Sequence, residues 1–498
     1  MSNEIQQISA RKRVYTKRDL AILALCAPLC FLYVKTFSAA DKPLGRCLVC
    51  IMLLVLGEVY LRMSGKVTSA DGKGIFFGIS ALVLSVGLVM TSNATVQIFS
   101  ALYIFFAFVL RIYYAGGNGV GSVGDVGFAA DVIRSAVIMP FGSFSGAFEA
   151  VAFVGRGKGK GIGRNILIAL IGLAVAFVPA LIVCVLLSYD SGFTEMTNSF
   201  FDLIFSDGFG ILRDILFALF VLSFVFGAFY SSAHSRFTHI FDSEKCASVS
   251  NRISFAPTVL SVFAVLPFLV IYAVFFASQA EIYVSAFTGV LPDGFTYSEY
   301  ARDGFFQLCA VSFINFLIII CTSVFSKDKK NVLLRICHFT LSVMTLALLA
   351  TAASKMIIYV GAYGLTELRI LSSAFMVFLA VCFVLFIIKQ FLPKVNTFAG
   401  TFVCAFLILA LLSLGNADGI CADYNAYRYA SGTLAEYDIS ELAYGDSGIA
   451  ALERLAEKYG DTDAEKLLRE AAREERKKEI FSYTVPFFRS ELILKKYK

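Results

Sequence analysis

The chain has 498 residues, of which 58% are hydrophobic and only 16% charged, with a mean hydropathy of +0.76 and a formal net charge of +6. Soluble chains run about 45–50% apolar and about 25% charged, so a soluble enzyme is excluded. With 12 Cys and no glycine period, a disulfide scaffold and collagen are excluded too, which leaves an all-α polytopic transmembrane helix bundle with a small C-terminal helical domain.

A bilayer core about 30 Å thick needs about 20 apolar residues per helix. Residues 1–19 form a basic tail with Arg11, Lys12, Arg13, Lys17 and Arg18 and no evident cleavage site, so the first helix stays as an anchor and the N-terminus is expected in the cytoplasm. Eleven charge-poor runs then read as spans: 20–38, 45–62, 75–91 and 95–110, followed by 165–188, 209–231, 255–278, 304–325, 334–353, 370–388 and 397–414. Between the two sets, 111–164 is a Gly-rich, basic cytoplasmic loop. Within it, 128–154 is apolar but carries Arg134, Pro140 and Glu149, and reads as an interfacial or re-entrant helix, because a full span there would turn every later basic loop outward. Threaded this way, 23 of the 30 Lys and Arg before residue 416 lie inside and seven outside, the bias the positive-inside rule expects. Residues 415–498 then form an extracytoplasmic helical domain.

In that domain Asp446 is placed to cap a helix with Ile449, Leu452 and Leu455 on one face and Gly460 at its end. A second helix starts at Asp461 or Thr462, where Thr462 and Glu465 have capping-box spacing, and runs on to Ile480. The basic end, Lys495, Lys496 and Lys498, reads first as a solvated terminus, with contact to anionic phosphates as the alternative.

Residues able to do chemistry are scarce. Glu58, Asp214, Lys35 and His338 sit near span ends, and Asn315, in mid-span, is expected to hydrogen-bond between helices. Gly119, Gly121 and Gly124 match a dinucleotide-loop spacing but follow a membrane helix, so a linker is expected there. Arg156, Lys158, Lys160 and Arg164 form a basic strip open to either topology-setting or lipid contact. With three His and no Cys-x-x-Cys outside a span, no catalytic residue, cofactor, metal site or nucleic-acid partner is expected.

Three polar stretches remain: Thr296, Tyr297, Glu299, Tyr300 and Arg302; Tyr363, Gly364, Leu365, Thr366 and Arg369; and Asn416, Asp423, Tyr424, Asn425, Arg428 and Tyr429. In this order they resemble the multi-pass bacterial membrane proteins grouped as domains of unknown function DUF4153 and DUF4173. The resemblance implies an integral membrane protein and supplies no catalytic residues. Threading puts all three stretches on the outer face, so Arg302, Arg369 and Arg428 are expected to meet in one polar cluster, paired with acids. That cluster either pins the tail or recognises an anionic headgroup or envelope precursor. The leading function is a non-catalytic envelope scaffold or sensor, with a membrane or cytoplasmic protein as partner. A transporter or flippase of a lipidic or amphipathic substrate, and an enzyme on a lipid-linked envelope substrate, are the alternatives.

Overall fold

The computed structural model describes residues 14–38, 42–66, 71–119, 125–154, 207–237, 251–278, 305–328, 331–434, 437–474 and 479–498, with isolated positions 183, 187 and 248. The expected span at 165–188, most of the glycine-rich and basic loop, and Tyr297, Glu299 and Arg302 lie outside the described residues. Among the described residues the chain is helical, with a single isolated bridge between Ala256 and Ser326.

The long helices are α1 (Lys17–Ser38), α2 (Pro43–Met63), α3 (Gly72–Met90), α4 (Ala94–Ala115), α8 (Asp207–Ala233), α9 (Thr258–Ser278), α10 (Phe305–Phe325), α11 (Val332–Tyr363), α12 (Glu367–Phe391) and α13 (Thr397–Leu414). Each is long and apolar enough to cross a membrane, which makes this a polytopic membrane protein. Short polar residues start several of them by accepting an otherwise unpaired amide of the first turn. Asn93 accepts from Val96 N at 2.9 Å, Asn396 from Ala399 N at 2.9 Å, and Asn331 from Leu333 N at 3.0 Å.

The helices form two packed groups. In the first, α1 to α4, α8 and α13 share one core, in which Phe402 and Phe406 of α13 meet the rings of Phe77, Tyr103 and Phe128. In the second, α9 to α12 share another. Charges at span ends are paired: Lys35 with Asp214 at 2.5 Å and Arg111 with Glu58 at 2.5 Å. Asn315, fully buried, accepts from Tyr272 at 2.7 Å and donates to Thr345 at 2.9 Å, which ties α9, α10 and α11 together in mid-span.

Residues 125–154 also have the length and hydropathy of a span, but they bend. α5 (Asp125–Ile133) passes through a π-helical turn, Arg134–Ile138, into the short α6 (Met139–Gly142), and α7 (Gly146–Val154) follows a turn at 143–145. At the start Asp125 pairs with Lys389 and accepts from Thr397 at 2.9 Å; near the end Glu149 accepts from Tyr15 at 3.1 Å. Thr397 opens α13 and Tyr15 precedes α1, so both ends of the hairpin lie on one face of the bundle. The turn is seated on α8, where Ser231 donates to the Met139 carbonyl at 2.9 Å and a Cβ on Gly227 would stand 2.5 Å from the Pro140 oxygen. Buried backbone inside a membrane bundle requires such internal partners.

On the opposite face sits a layer of short helices: α14 (Ala417–Ala430), α15 (Glu441–Tyr444), α16 (Gly448–Tyr459), α17 (Thr462–Arg473), a 3-10 turn (Ile480–Ser482) and α18 (Val485–Leu494). Ile449, Leu452, Leu455 and Leu468 form its core. The N-cap of α16 is Ser447 rather than Asp446, and of the two expected starts of α17 it is Asp461 that caps the helix, accepting from Ala464 N at 2.9 Å. α17 also stops at Arg473, short of Ile480. Gly460, with φ +68, ends α16 in the left-handed conformation that lets α17 fold back.

Candidate functional site

The tail meets the bundle where α11 runs well past its expected end at 353 and finishes at Tyr363. Gly364 turns the chain with φ +76, and a Cβ there would stand 2.6 Å from Asn425 Oδ1, so conformation and space both call for glycine. Asn425, on α14 and 5% exposed, reads the next residue from both sides. Its Oδ1 accepts from Leu365 N at 2.7 Å and its Nδ2 donates to Leu365 O at 2.8 Å.

Two guanidinium groups close on the same helix end. Arg428 donates to the Gly361 carbonyl at 2.8 Å, to Tyr424 Oη at 2.9 Å and to Thr433 Oγ1 at 2.6 Å. Arg369 donates to the carbonyls of Tyr363 at 3.0 Å and Gly364 at 2.5 Å, with its guanidinium 4.0 Å from the centre of the Tyr359 ring. The last turn of a helix presents unpaired carbonyls and the negative end of its dipole, which is why cations gather there. Arg369 and Arg428 thus do converge, but on backbone oxygens rather than on the acids expected from the sequence. Asp423 instead pairs with Arg454 of α16 at 2.7 Å, inside the tail. Thr366 is the N-cap residue of α12 without a side-chain cap bond, and Tyr363 is 46% exposed.

Beside this junction lies a cleft of about 820 Å³ between the tail and the start of α12, lined in part by Tyr363, Thr366 and Asn425. Five carboxylates line it, Glu367, Asp418, Asp438, Glu441 and Asp446, and no Lys or Arg does among the described residues. Asp418 accepts from Asn93 Nδ2 at 2.9 Å; burial, with Glu367 nearby, raises its pKa above the usual carboxylate value. The Asp438 pKa is held down by hydrogen bonds from Ser440. Burial, with Asp418 and Glu367 close by, pushes the Cys421 thiol up to about 12, so it stays protonated at neutral pH. The potential in the cleft is negative, while the arginines beside it are held by α11. No group of three or more His, Cys, Asp or Glu among the described residues could hold a metal ion.

The residues that dock the tail stand in the polar stretches of the sequence, whereas of the cleft's carboxylates only Asp446 had a sequence signal, and that was for a helix cap. Glu367 and Asp418 are far apart in sequence, and their proximity depends on α12 and α14 packing together. Gly364 belongs to the second polar stretch, though only the backbone conformation reveals its role.

Fold and site together define a polytopic helical membrane protein with a small helical tail locked onto one end of its bundle. The chain belongs to the family described as Domain of unknown function (DUF4153), whose model matches residues 78–455, about three quarters of the chain. That match begins within α3 and ends within α16. No curated protein and no solved structure matches the chain.

Proposed function

We propose that the protein is a non-catalytic membrane scaffold in which the tail couples the two helix groups, with the N-terminus cytoplasmic and the tail extracytoplasmic. The carrying observation is that one tail holds both groups at once. Asp418 and Thr484 meet Asn93 at 2.9 Å and Ser92 at 3.3 Å in the first group, while Asn425 and Arg428 hold Leu365 and Gly361 in the second. In this reading Arg369 and Arg428 serve docking, and the acidic cleft is where a change outside the membrane would be felt as a change in docking. The orientation rests on the 23-to-seven bias of basic residues.

The test is a pair of spin labels, one on α3 and one on α11, in the full-length protein in lipid nanodiscs. The double variant Asn425→Ala, Arg428→Ala should broaden the distance distribution between the groups; an unchanged distribution would refute coupling by the tail. Labelling of a cysteine at position 240 in intact cells would refute the orientation. A transporter or flippase is the second reading, favoured by the bent helix 125–154, since broken helices often line substrate paths. Lipid scrambling by the purified protein in vesicles separates the two.

A further inference from the structure

The C-terminal helix α18 has two faces of unlike use. Pro486, Phe487, Ser490, Ile493 and Leu494 are buried in the tail, while Val485, Phe488 and Leu492 are 45%, 60% and 49% exposed. Those three are spaced i, i+3, i+7 and so form one apolar stripe. The 3-10 turn before it extends the stripe with Ile480, 70% exposed, and Phe481, 42% exposed. An apolar stripe of this length on a soluble layer calls for a cover.

Its position says what the cover is. Lys42, just before α2, pairs with Glu479 at 3.2 Å; a Cβ on Gly45, in the first turn of α2, would stand 3.6 Å from Phe481 Cβ; and Ser92, just past α3, hydrogen-bonds Thr484 at 3.3 Å. The stripe therefore begins where two membrane helices leave the hydrocarbon. Leu48 and Met52, three and seven residues beyond Gly45, are exposed on α2 and carry the apolar surface on into the membrane. Arg489, Lys495 and Lys498 are exposed around the stripe and suit anionic headgroups.

We propose that residues 480–498 form an interfacial anchor, in which Ile480, Phe481, Val485, Phe488 and Leu492 enter the headgroup layer of the leaflet beneath the tail and Arg489, Lys495 and Lys498 contact its phosphates. This segment lies beyond the part of the chain matched by the family model. It fits the behaviour of amphipathic helices that lie in a bilayer surface, binding by buried apolar area plus attraction to anionic lipid. The anchor fixes the height of the tail above the membrane independently of its hydrogen bonds to α11.

The chain has no tryptophan, so a single introduced indole reports cleanly. The full-length variants Phe488→Trp, Leu492→Trp and, as a water-facing control, Tyr444→Trp (Tyr444 is 89% exposed) would be reconstituted in phosphatidylcholine vesicles with lipid brominated near the headgroup. The emission of Phe488→Trp and Leu492→Trp should be blue-shifted and quenched by the brominated lipid severalfold more than that of Tyr444→Trp. Adding phosphatidylglycerol should deepen the quenching, and Arg489→Gln with Lys495→Gln, which leaves Lys498, should reduce that increment alone. Quenching equal to the Tyr444→Trp control would overturn the proposal. So would a blue shift without lipid quenching, which would mean that protein covers the stripe. An unchanged increment in the charge variant would overturn the phosphate contact.

Discussion

Replacing Asn425 with Ala removes both hydrogen bonds that join α14 to the turn between α11 and α12. Each such bond contributes about 1 kcal/mol net, and a buried group left without its partner costs about 1–3 kcal/mol. Leu365 is only half-buried, so water recovers part of that cost, and the expected loss is about 2 kcal/mol, or roughly 30-fold in the docking equilibrium. Hydrogen exchange on the full-length protein in nanodiscs reads this directly. The amides of Leu365 and of α14 should exchange at least about tenfold faster in Asn425→Ala, with α3 and α4 unchanged. The variant Asn425→Asp keeps the acceptor for Leu365 N but sets a carboxylate oxygen against Leu365 O. It should be at least as damaging at neutral pH and should recover in acid, where the protonated carboxyl can donate again. Exchange within about twofold of wild type for Asn425→Ala would refute the docking role.

Two further outcomes test the seat of the hairpin and the acidic cleft. Gly227→Ala puts a Cβ 2.5 Å from the Pro140 carbonyl and should destabilise the protein by about 1–3 kcal/mol in thermal unfolding, whereas Gly361→Ala, with nothing within 4 Å, should not. The raised pKa of Asp418 means that the folded form holds the proton more tightly, so its contribution is complete below the ordinary value of 3.8 and is lost as pH rises through the raised one. Asp418→Asn keeps an acceptor for Asn93 and should make the tail more stable at neutral pH and its stability less pH-dependent, as followed by melting of the tail across an acid-to-neutral series.

The membrane helices were legible because a helix that crosses lipid must be apolar for about 20 residues whatever its neighbours are. Their ends were less so. The last turns of α11 contain Gly361 and Tyr363, which read as a polar entry to the next span and are in fact helix, stabilised by two arginines from elsewhere in the chain. The acids on Arg369 and Arg428 were expected because charge invites charge; a helix end offers the same field from neutral backbone. Which helices form which group left no trace in the sequence. α9, α12 and α13 are apolar on every side, so nothing in their pattern tells a protein-facing side from a lipid-facing one.

Helix α13 is the last membrane-length helix among the described residues, yet its phenylalanines pack onto the first group, against the rings of α3 and α4. During synthesis the earlier helices therefore have that packing surface not yet covered by α13 while the helices of the second group are made. Only when α13 enters is that surface covered, and under the proposed coupling the tail that follows it then joins the two groups. A chain halted before residue 397 would thus lack both the contacts of α13 with the first group and the contacts of the tail with either group.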